Sequence, residues 1–137
     1  MGTKTMEKAA MSDTSKIVAC GAGFAGDRTE PAVTLAASGL VDALGLECLA
    51  ERTLVPGLRA RLNDSEAGAD TRLERRLRQL LPEAKPNDCR IISNLGATNP
   101  AAAGRRIARL ATEVNCSGLR VAAIIGDDVA VLSDKIE

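Results

Sequence analysis

Short apolar runs alternate with amphipathic segments along most of the chain. Four apolar runs have the length of buried strands, at residues 16–20, 41–47, 90–93 and 120–125. The segments between them carry apolar residues at helical spacing, which is clearest over 71–81, where leucines recur at i, i+4, i+7 and i+8. Strands that alternate with helices predict an α/β fold with a parallel sheet of about four strands and flanking helices.

Capping residues and prolines predict where the helices begin and end. Thr29-Glu30-Pro31 combines a capping hydroxyl, an early acid and a proline suited to a first turn, so a helix is expected to begin there. Asn99-Pro100 predicts a second helix start by the same reasoning. A further helix over 48–62 is expected to bend or break at Pro56-Gly57.

Length and charge restrict the class of protein. A chain of 137 residues is one domain or a piece of one, and we divide it into a disordered polar tail over 1–15 and an α/β domain over 16–137. Lys plus Arg and Asp plus Glu both total 18, so no net charge attracts nucleic acid or an anionic membrane. No apolar stretch approaches the ~20 residues that span a bilayer, and no secretory signal is present. These features predict a cytoplasmic protein.

The absence of histidine restricts the available chemistry. Without it this chain cannot form a Ser-His or Cys-His pair or a histidine-ligated zinc or iron site. Its four cysteines show no C-x-x-C spacing, so we expect free, reduced thiols in separate buried places. Chemistry must then come from carboxylates, Lys, Cys, amides or a bound cofactor, whose identity the sequence leaves unknown.

Glycines, carboxylates and amides follow every predicted strand. In parallel α/β folds the functional groups gather at the carboxyl ends of the strands, so these residues predict one shared site. We expect Asp27, Glu47, Asn94 and Asp127 to lie along one edge of the sheet. The candidates after the four strands, in order, are Gly21, Gly23, Gly26, Asp27 and Arg28; Glu47 and Glu51; Asn94, Gly96, Thr98 and Asn99; and Gly126, Asp127 and Asp128.

The first of these groups has the spacing of a dinucleotide-binding loop. Residues 21–26 read G-x-G-x-x-G after a strand, and Glu47 ends the next strand, where a ribose-binding acid belongs. In that interpretation Gly21, Gly23 and Gly26 contact a nucleotide cofactor. However, acids and a proline occupy 27–31, where helix amides would have to hold a pyrophosphate.

We therefore favour a different interpretation, in which the loop is a site-forming turn. Gly23 and Gly26 would adopt backbone conformations closed to other residues and present Asp27 and Arg28 toward Glu47 and Asn94. An arginine beside a carboxylate keeps that acid ionised and can also hold an anionic substrate group. A nucleotide-binding Rossmann-like module remains the alternative.

Three other charged groups have less specific interpretations. The basic positions of the 71–81 helix, including Arg76, are interpreted as a solvated face on which Glu74 pairs with Arg78 at i, i+4. Arg105-Arg106 is interpreted in the same way, and no aromatic residue offers a stacking surface for nucleic acid. Asp127-Asp128 could hold a hard cation together with other strand-end acids, but capping of the next segment is favoured and no metal site is predicted.

Four ordered blocks carry a resemblance to a known family. GFAGDR at 23–28, ECLAERT at 47–53, SNLGATNP at 93–100 and GDD at 126–128 together resemble the N-terminal part of the acyclic terpene utilisation (AtuA-like) family. The resemblance covers about 16–132. Family members continue well beyond GDD, so the chain looks like a truncated segment, and a non-catalytic remnant is a further alternative.

The resemblance implies a role in the breakdown of acyclic terpenoids such as citronellol and geraniol. This chain would then be an enzyme, or part of one, acting on a terpenoid acid or its CoA thioester. The strand-end carboxylates would serve as general acid and base, and the two amides would orient a carbonyl or hydroxyl. The implied catalytic positions are Asp27, Arg28, Glu47, Glu51, Asn94, Asn99, Asp127 and Asp128.

Overall fold

The computed structural model describes residues 15–127. Of the predicted tail over 1–15 only Ser15 falls within this range, and Asp128 lies outside it. None of the helices within 15–127 is long and apolar enough to cross a membrane. The elements are β1 (Val18–Ala22), α1 (Glu30–Ala37), β2 (Ala43–Leu46), α2 (Glu51–Asn63), α3 (Leu73–Ala84), β3 (Arg90–Ser93) and α4 (Pro100–Glu113).

A parallel sheet with the strand order β1-β2-β3 forms the centre of the fold. Val18 is level with Ala43, which in turn is level with Arg90, so all three strands begin together. Their carboxyl ends therefore meet at one edge of the sheet, which we call the carboxyl edge: Ala22, Leu46 and Ser93. The α/β class and the parallel sheet predicted from the hydrophobic pattern are confirmed.

The predicted fourth strand over 120–125 is not formed within the described residues. This segment has no regular secondary structure and pairs with none of the described strands, and Ile124 and Ile125 are largely exposed. It passes α4 instead, with Val121 and Ala123 beside Gly104. An apolar run becomes a strand only where its backbone N–H and C=O groups can hydrogen-bond a neighbouring strand. Here the run lies beside α4 and contacts it through side chains.

Among the described residues, helices cover one face of the sheet and leave the other face open. α3 packs between α1 and α4, and Leu44, Leu73 and Leu80 are completely buried beneath these three helices. On the opposite face, Val18 of β1 and Ile92 of β3 are 71% and 57% exposed. This half-covered sheet has an apolar surface beside the carboxyl edge.

α2 is continuous, contrary to the predicted break at Pro56-Gly57. A proline removes only the hydrogen bond from its own nitrogen to the residue four positions earlier, here Arg52. Arg52 is exposed, so water can satisfy its carbonyl and the helix continues to Asn63. No residue of α2 is buried. α3 similarly runs through Pro82, three residues beyond the predicted end at 81.

Candidate functional site

Glu47 and Asn94 meet at the carboxyl edge, as the sequence predicted. The Asn94 side-chain amide donates from Nδ2 to Glu47 Oε1 at 2.9 Å, and its Oδ1 accepts the Cys48 backbone N–H at 2.7 Å. Glu47 Oε1 also accepts the Leu49 N–H at 2.9 Å. One asparagine thus joins the end of β3 to the end of β2 and fixes the orientation of the glutamate.

Hydrogen bonding lowers the pKa of Glu47. The largest cause is the bond from Asn94, followed by the Leu49 backbone N–H, while desolvation acts weakly in the opposite direction. Both donors favour the ionised carboxylate. Glu47 is exposed and charged at neutral pH, so it is suited to accept hydrogen bonds.

Replacing Asn94 with Ala should raise the pKa of Glu47 toward its ordinary value. In the wild type, the pKa of Glu47 is lower in the folded protein than in the unfolded chain, so ionisation of Glu47 stabilises the fold. This stabilisation is complete above the unfolded pKa and is lost as pH falls through the folded pKa. The stability difference between wild type and N94A should therefore shrink between about pH 5 and pH 3. Thermal unfolding across this range, with carboxyl NMR titration, measures it.

The matched control removes the titrating group. In a Glu47→Gln background, the effect of N94A should not change over the same pH range. A pH-dependent difference that persists in that background would show that another carboxyl group is responsible.

The loop after β1 is closed by its own aspartate. Asp27 Oδ2 accepts the backbone N–H groups of Gly23 at 2.6 Å and Phe24 at 3.3 Å. The carboxylate therefore points back into its own turn and makes no hydrogen bond to Glu47 or Asn94. Arg28 is exposed and forms no hydrogen bond or ion pair with any described residue. Asp27 and Arg28 were expected to face Glu47 and Asn94, but neither forms a hydrogen bond or ion pair with them among residues 15–127, because the loop amides satisfy the Asp27 carboxylate locally.

The loop glycines have steric roles. None of Gly21, Gly23 and Gly26 lies at positive φ, so the predicted use of special backbone conformations is wrong. Gly21 is the extra residue of a β-bulge between Cys20 and Ala22, and a Cβ atom built there would lie 2.8 Å from Leu46 Cδ2. At Gly26 a Cβ would collide with the Phe24 ring, whereas Gly23 has ordinary space.

This geometry favours the interpretation of residues 21–28 as a turn and argues against a dinucleotide-binding loop. The amides of Gly23 and Phe24 already bind a carboxylate, and Glu30 stands in the first turn of α1. A pyrophosphate would have to displace one negative charge and approach another.

Asn99, predicted to be catalytic, is bound into the scaffold. It is 8% exposed, and its Oδ1 accepts the Ala102 N–H at 3.2 Å, which caps α4. Its Nδ2 donates to the carbonyls of Ser65 and Ala67, both at 2.8 Å. All the polar atoms of this side chain are thus engaged in connecting the 64–72 loop to α4.

The remaining predicted site residues do not join the Glu47–Asn94 pair. Glu51 is exposed at the first position of α2, where a negative charge favours the helix N-terminus. Asp127 is exposed and follows the unpaired segment, so it does not follow a strand end. Within residues 15–127, no group of three or more Cys, Asp or Glu side chains could hold a metal ion.

Arg76 is the feature that sequence interpretation missed. It is 2% exposed, so it does not belong to the solvated face predicted for the basic residues of this helix. Its Nη2 donates to the carbonyls of Ala25 at 2.8 Å and Asp27 at 2.6 Å, which fastens α3 to the loop after β1. The helical period contains the signal, since position 76 follows Leu73 by three residues and precedes Leu80 by four, on the buried face.

Three other arginines, Arg78, Arg105 and Arg106, form ion pairs between segments. Glu74 pairs with Arg106 at 3.0 Å and Arg78 pairs with Glu113 at 2.8 Å, so the predicted Glu74–Arg78 pair within α3 is wrong. Arg105 pairs with Glu66. α4 lies close enough to α3 for these pairs to form, which a helical wheel of α3 alone does not show.

The buried thiol of Cys48 lies among the charged groups of the site. Desolvation raises its pKa most strongly, the charge of Arg76 lowers it, and the charges of Asp70, Glu47 and Asp27 raise it. Cys48 is therefore a neutral thiol at pH 7. All four cysteines are free, and Cys20 is exposed, contrary to the buried position predicted for it.

An open groove joins the apolar sheet face to the polar edge. It measures about 700 Å³, and its floor is formed by small and apolar residues of all three strands. Glu47, Ser93 and Asn94 line its end at the carboxyl edge. The arrangement offers a hydrocarbon surface that ends in a carboxylate and an amide.

These features define an α/β protein with a half-covered parallel sheet and a polar site at its carboxyl edge. The family model for the acyclic terpene utilisation family protein AtuA matches residues 17–137, so this chain belongs to that family. The resemblance seen in the four sequence blocks is thereby confirmed. Searches of curated proteins and of solved structures found no significant match.

Proposed function

We propose that this chain is part of an enzyme of acyclic terpenoid catabolism, of the citronellol and geraniol type. It would bind a terpenoid acid or its CoA thioester at the carboxyl edge. The observation that carries the proposal is the groove, in which an apolar sheet surface leads to Glu47 and Asn94. An acyclic terpenoid acid has the same two parts, a branched hydrocarbon chain and one polar head.

The hydrocarbon chain would lie on the floor of the groove. Val18 and Ile92 project their apolar side chains there, and Gly45 between them leaves room because it has no side chain. Covering apolar surface contributes roughly 25 cal/mol per Å², so a branched chain lying along the strands gains most of its affinity here.

The polar head would meet Glu47 and Asn94. Because its pKa is lowered, Glu47 is ionised and acts as a hydrogen-bond acceptor, and in the general-base role it is a weaker base than an ordinary glutamate. Asn94 would orient it, as it does in the free protein. Asp27 would position the loop after β1, since its carboxylate is held by two amides. We place the enzyme in the cytoplasm, and the four free thiols support this.

Binding of citronellate to wild type and to two variants tests the proposal. Ile92→Asp puts a charge on the groove floor, and the matched control Leu62→Asp puts the same charge at an apolar residue of α2 that is 86% exposed and outside the groove. Burying a charge against a hydrocarbon chain should weaken binding about tenfold or more in I92D and leave L62D unchanged. Calorimetric titration measures both.

NAD and hexanoate serve as comparison ligands. Citronellate should bind more tightly than the shorter hexanoate, and NAD should not bind. Equal loss in I92D and L62D, or micromolar binding of NAD, would contradict a terpenoid groove.

A further inference from the structure

Within residues 15–127, the guanidinium of Arg76 is buried without a counter-ion. Its Nη2 hydrogen-bonds two neutral carbonyls, those of Ala25 and Asp27, while its Nη1 is buried and has no hydrogen-bond partner. Among the described residues, Arg76 forms no ion pair. A buried charge is costly unless it is paired, and a buried donor without an acceptor adds to that cost.

Three carboxylates surround this region, and each is engaged elsewhere. Asp27 accepts two amides of its own loop, and Glu47 accepts from Asn94 and Leu49. The nearly buried side chain of Asp70 accepts the Arg72 N–H at 2.6 Å and lies 3.6 Å from the Arg72 guanidinium. None of the acids in the described part of the chain therefore neutralises the charge of Arg76 directly.

We propose that Arg76 is the anion-recognition residue of the site and that its Nη1 binds the carboxylate of a monocarboxylic acid. This inference rests on the proposed function and narrows it to free acids, because the carbonyl of a CoA thioester carries no charge. The loop after β1 connects the two parts: it follows Ala22, whose carbonyl accepts the Glu47 backbone N–H at 2.9 Å, and its Ala25 and Asp27 carbonyls accept the two bonds from Arg76 Nη2. The polar end of the groove and the guanidinium therefore adjoin the same loop.

Local charge favours a carboxylate over a phosphate. The charges of Asp27, Glu47 and Asp70 raise the pKa of the Cys48 thiol, and the charge of Arg76 lowers it, so a ligand beside Arg76 is within the field of three acids. A ligand with one negative charge meets less repulsion from three acids than a phosphate near charge −2 does. Arg76 also offers two N–H groups on Nη1, which suits a carboxylate oxygen.

The loop after β1 lies directly against Arg76. The two carbonyls that Nη2 binds, those of Ala25 and Asp27, belong to this loop, whose residues Gly23, Phe24 and Gly26 are exposed. A ligand would reach Nη1 when the exposed residues of this loop move aside, while the Ala25 and Asp27 carbonyls keep their bonds to Nη2.

The test is calorimetric titration of the whole chain with octanoate, octanamide and inorganic phosphate. Octanoate should bind saturably, whereas octanamide, of nearly the same shape but uncharged, and phosphate should not. Arg76→Lys keeps the positive charge but removes the planar guanidinium with its two separate donor nitrogens. Losing a charged hydrogen bond should weaken octanoate binding about 10-fold to 100-fold. The matched control is R75K, at the neighbouring exposed arginine of the same helix.

A second measurement does not depend on a variant that folds. In wild type labelled with ¹⁵N-arginine, octanoate should shift the Arg76 side-chain resonance, and octanamide should not. The proposal would be overturned by a lack of saturable octanoate binding, by an unchanged Arg76 resonance, or by equal binding of octanoate to R76K and R75K. Arg76 would then have only the structural role of holding the loop after β1 against α3. Tighter binding of phosphate would overturn the choice of a carboxylate. Arg76-dependent binding of octanoate as tight as that of citronellate would retain this inference and reject the terpenoid function.

Discussion

Replacing Asn99 with Ala is expected to lower the free energy of unfolding by about 2–4 kcal/mol. The substitution removes the cap on the Ala102 N–H at the start of α4 and the two donors that hold the Ser65 and Ala67 carbonyls. Loss of a side-chain cap costs about 1 kcal/mol, and carbonyls that lose a donor add to it. Urea unfolding monitored by far-ultraviolet circular dichroism measures the change.

Two further variants separate the contributions. Asn99→Ser keeps an N-cap oxygen but not the two donors, so it should recover only part of the loss. The control is Asn63→Ala, at an exposed residue whose side chain bonds only within α2, and it should change stability by less than about 0.5 kcal/mol. If N99A instead kept full stability and lost ligand binding, Asn99 would belong to the site, as the sequence predicted.

Replacing Gly21 with Ala is expected to destabilise the protein by about 1–3 kcal/mol, because the added methyl group overpacks the core. The new Cβ would lie 2.8 Å from Leu46 Cδ2 and 3.0 Å from both Ala32 Cβ and Leu44 Cγ. Two of these neighbours are core leucines of β2 and the third is the face of α1, so none can move without opening another contact. Thermal and urea unfolding measure the loss.

The same substitution in the adjacent strand is the control. A Cβ at Gly45 meets only the Ala19 carbonyl, at 3.8 Å, and Gly45 faces the open side of the sheet. G45A should be neutral or slightly stabilising, because alanine restricts the unfolded chain more than glycine does. If G21A were as stable as G45A, the close packing of β1 on α1 would not be what requires glycine at this position.

Both substitutions change how the sequence blocks are interpreted. Gly21 and Asn99 lie in patterns that also occur in ligand sites, yet their atoms are used to pack and connect elements. Glu47 and Asn94 come from the same patterns and do meet at the carboxyl edge. Residue type and position after a strand therefore predict which residues lie near the carboxyl edge. They do not distinguish residues that face the groove from residues that pack or connect the surrounding elements.

The sequence by itself determined the features that depend on neighbours along the chain. The α/β class, the three paired strands and the starts of α1 and α4 follow from apolar spacing and from prolines at Pro31 and Pro100. These signals act within one or two turns or one strand, so a linear pattern contains all the information they need. The family also follows from blocks in a fixed order.

Only the tertiary structure decided the features whose partners lie far along the chain. Arg76 is buried because the loop after β1 supplies hydrogen-bond acceptors for its guanidinium, the carbonyls of Ala25 and Asp27, which lie 51 and 49 residues earlier in the chain. Asn99 is structural because a loop more than 30 residues before it folds against its amide. The 120–125 run did not become a strand because its backbone lies beside α4 and away from a ladder. In each case the energy comes from a desolvated polar group or an apolar contact that exists only after distant segments have packed together.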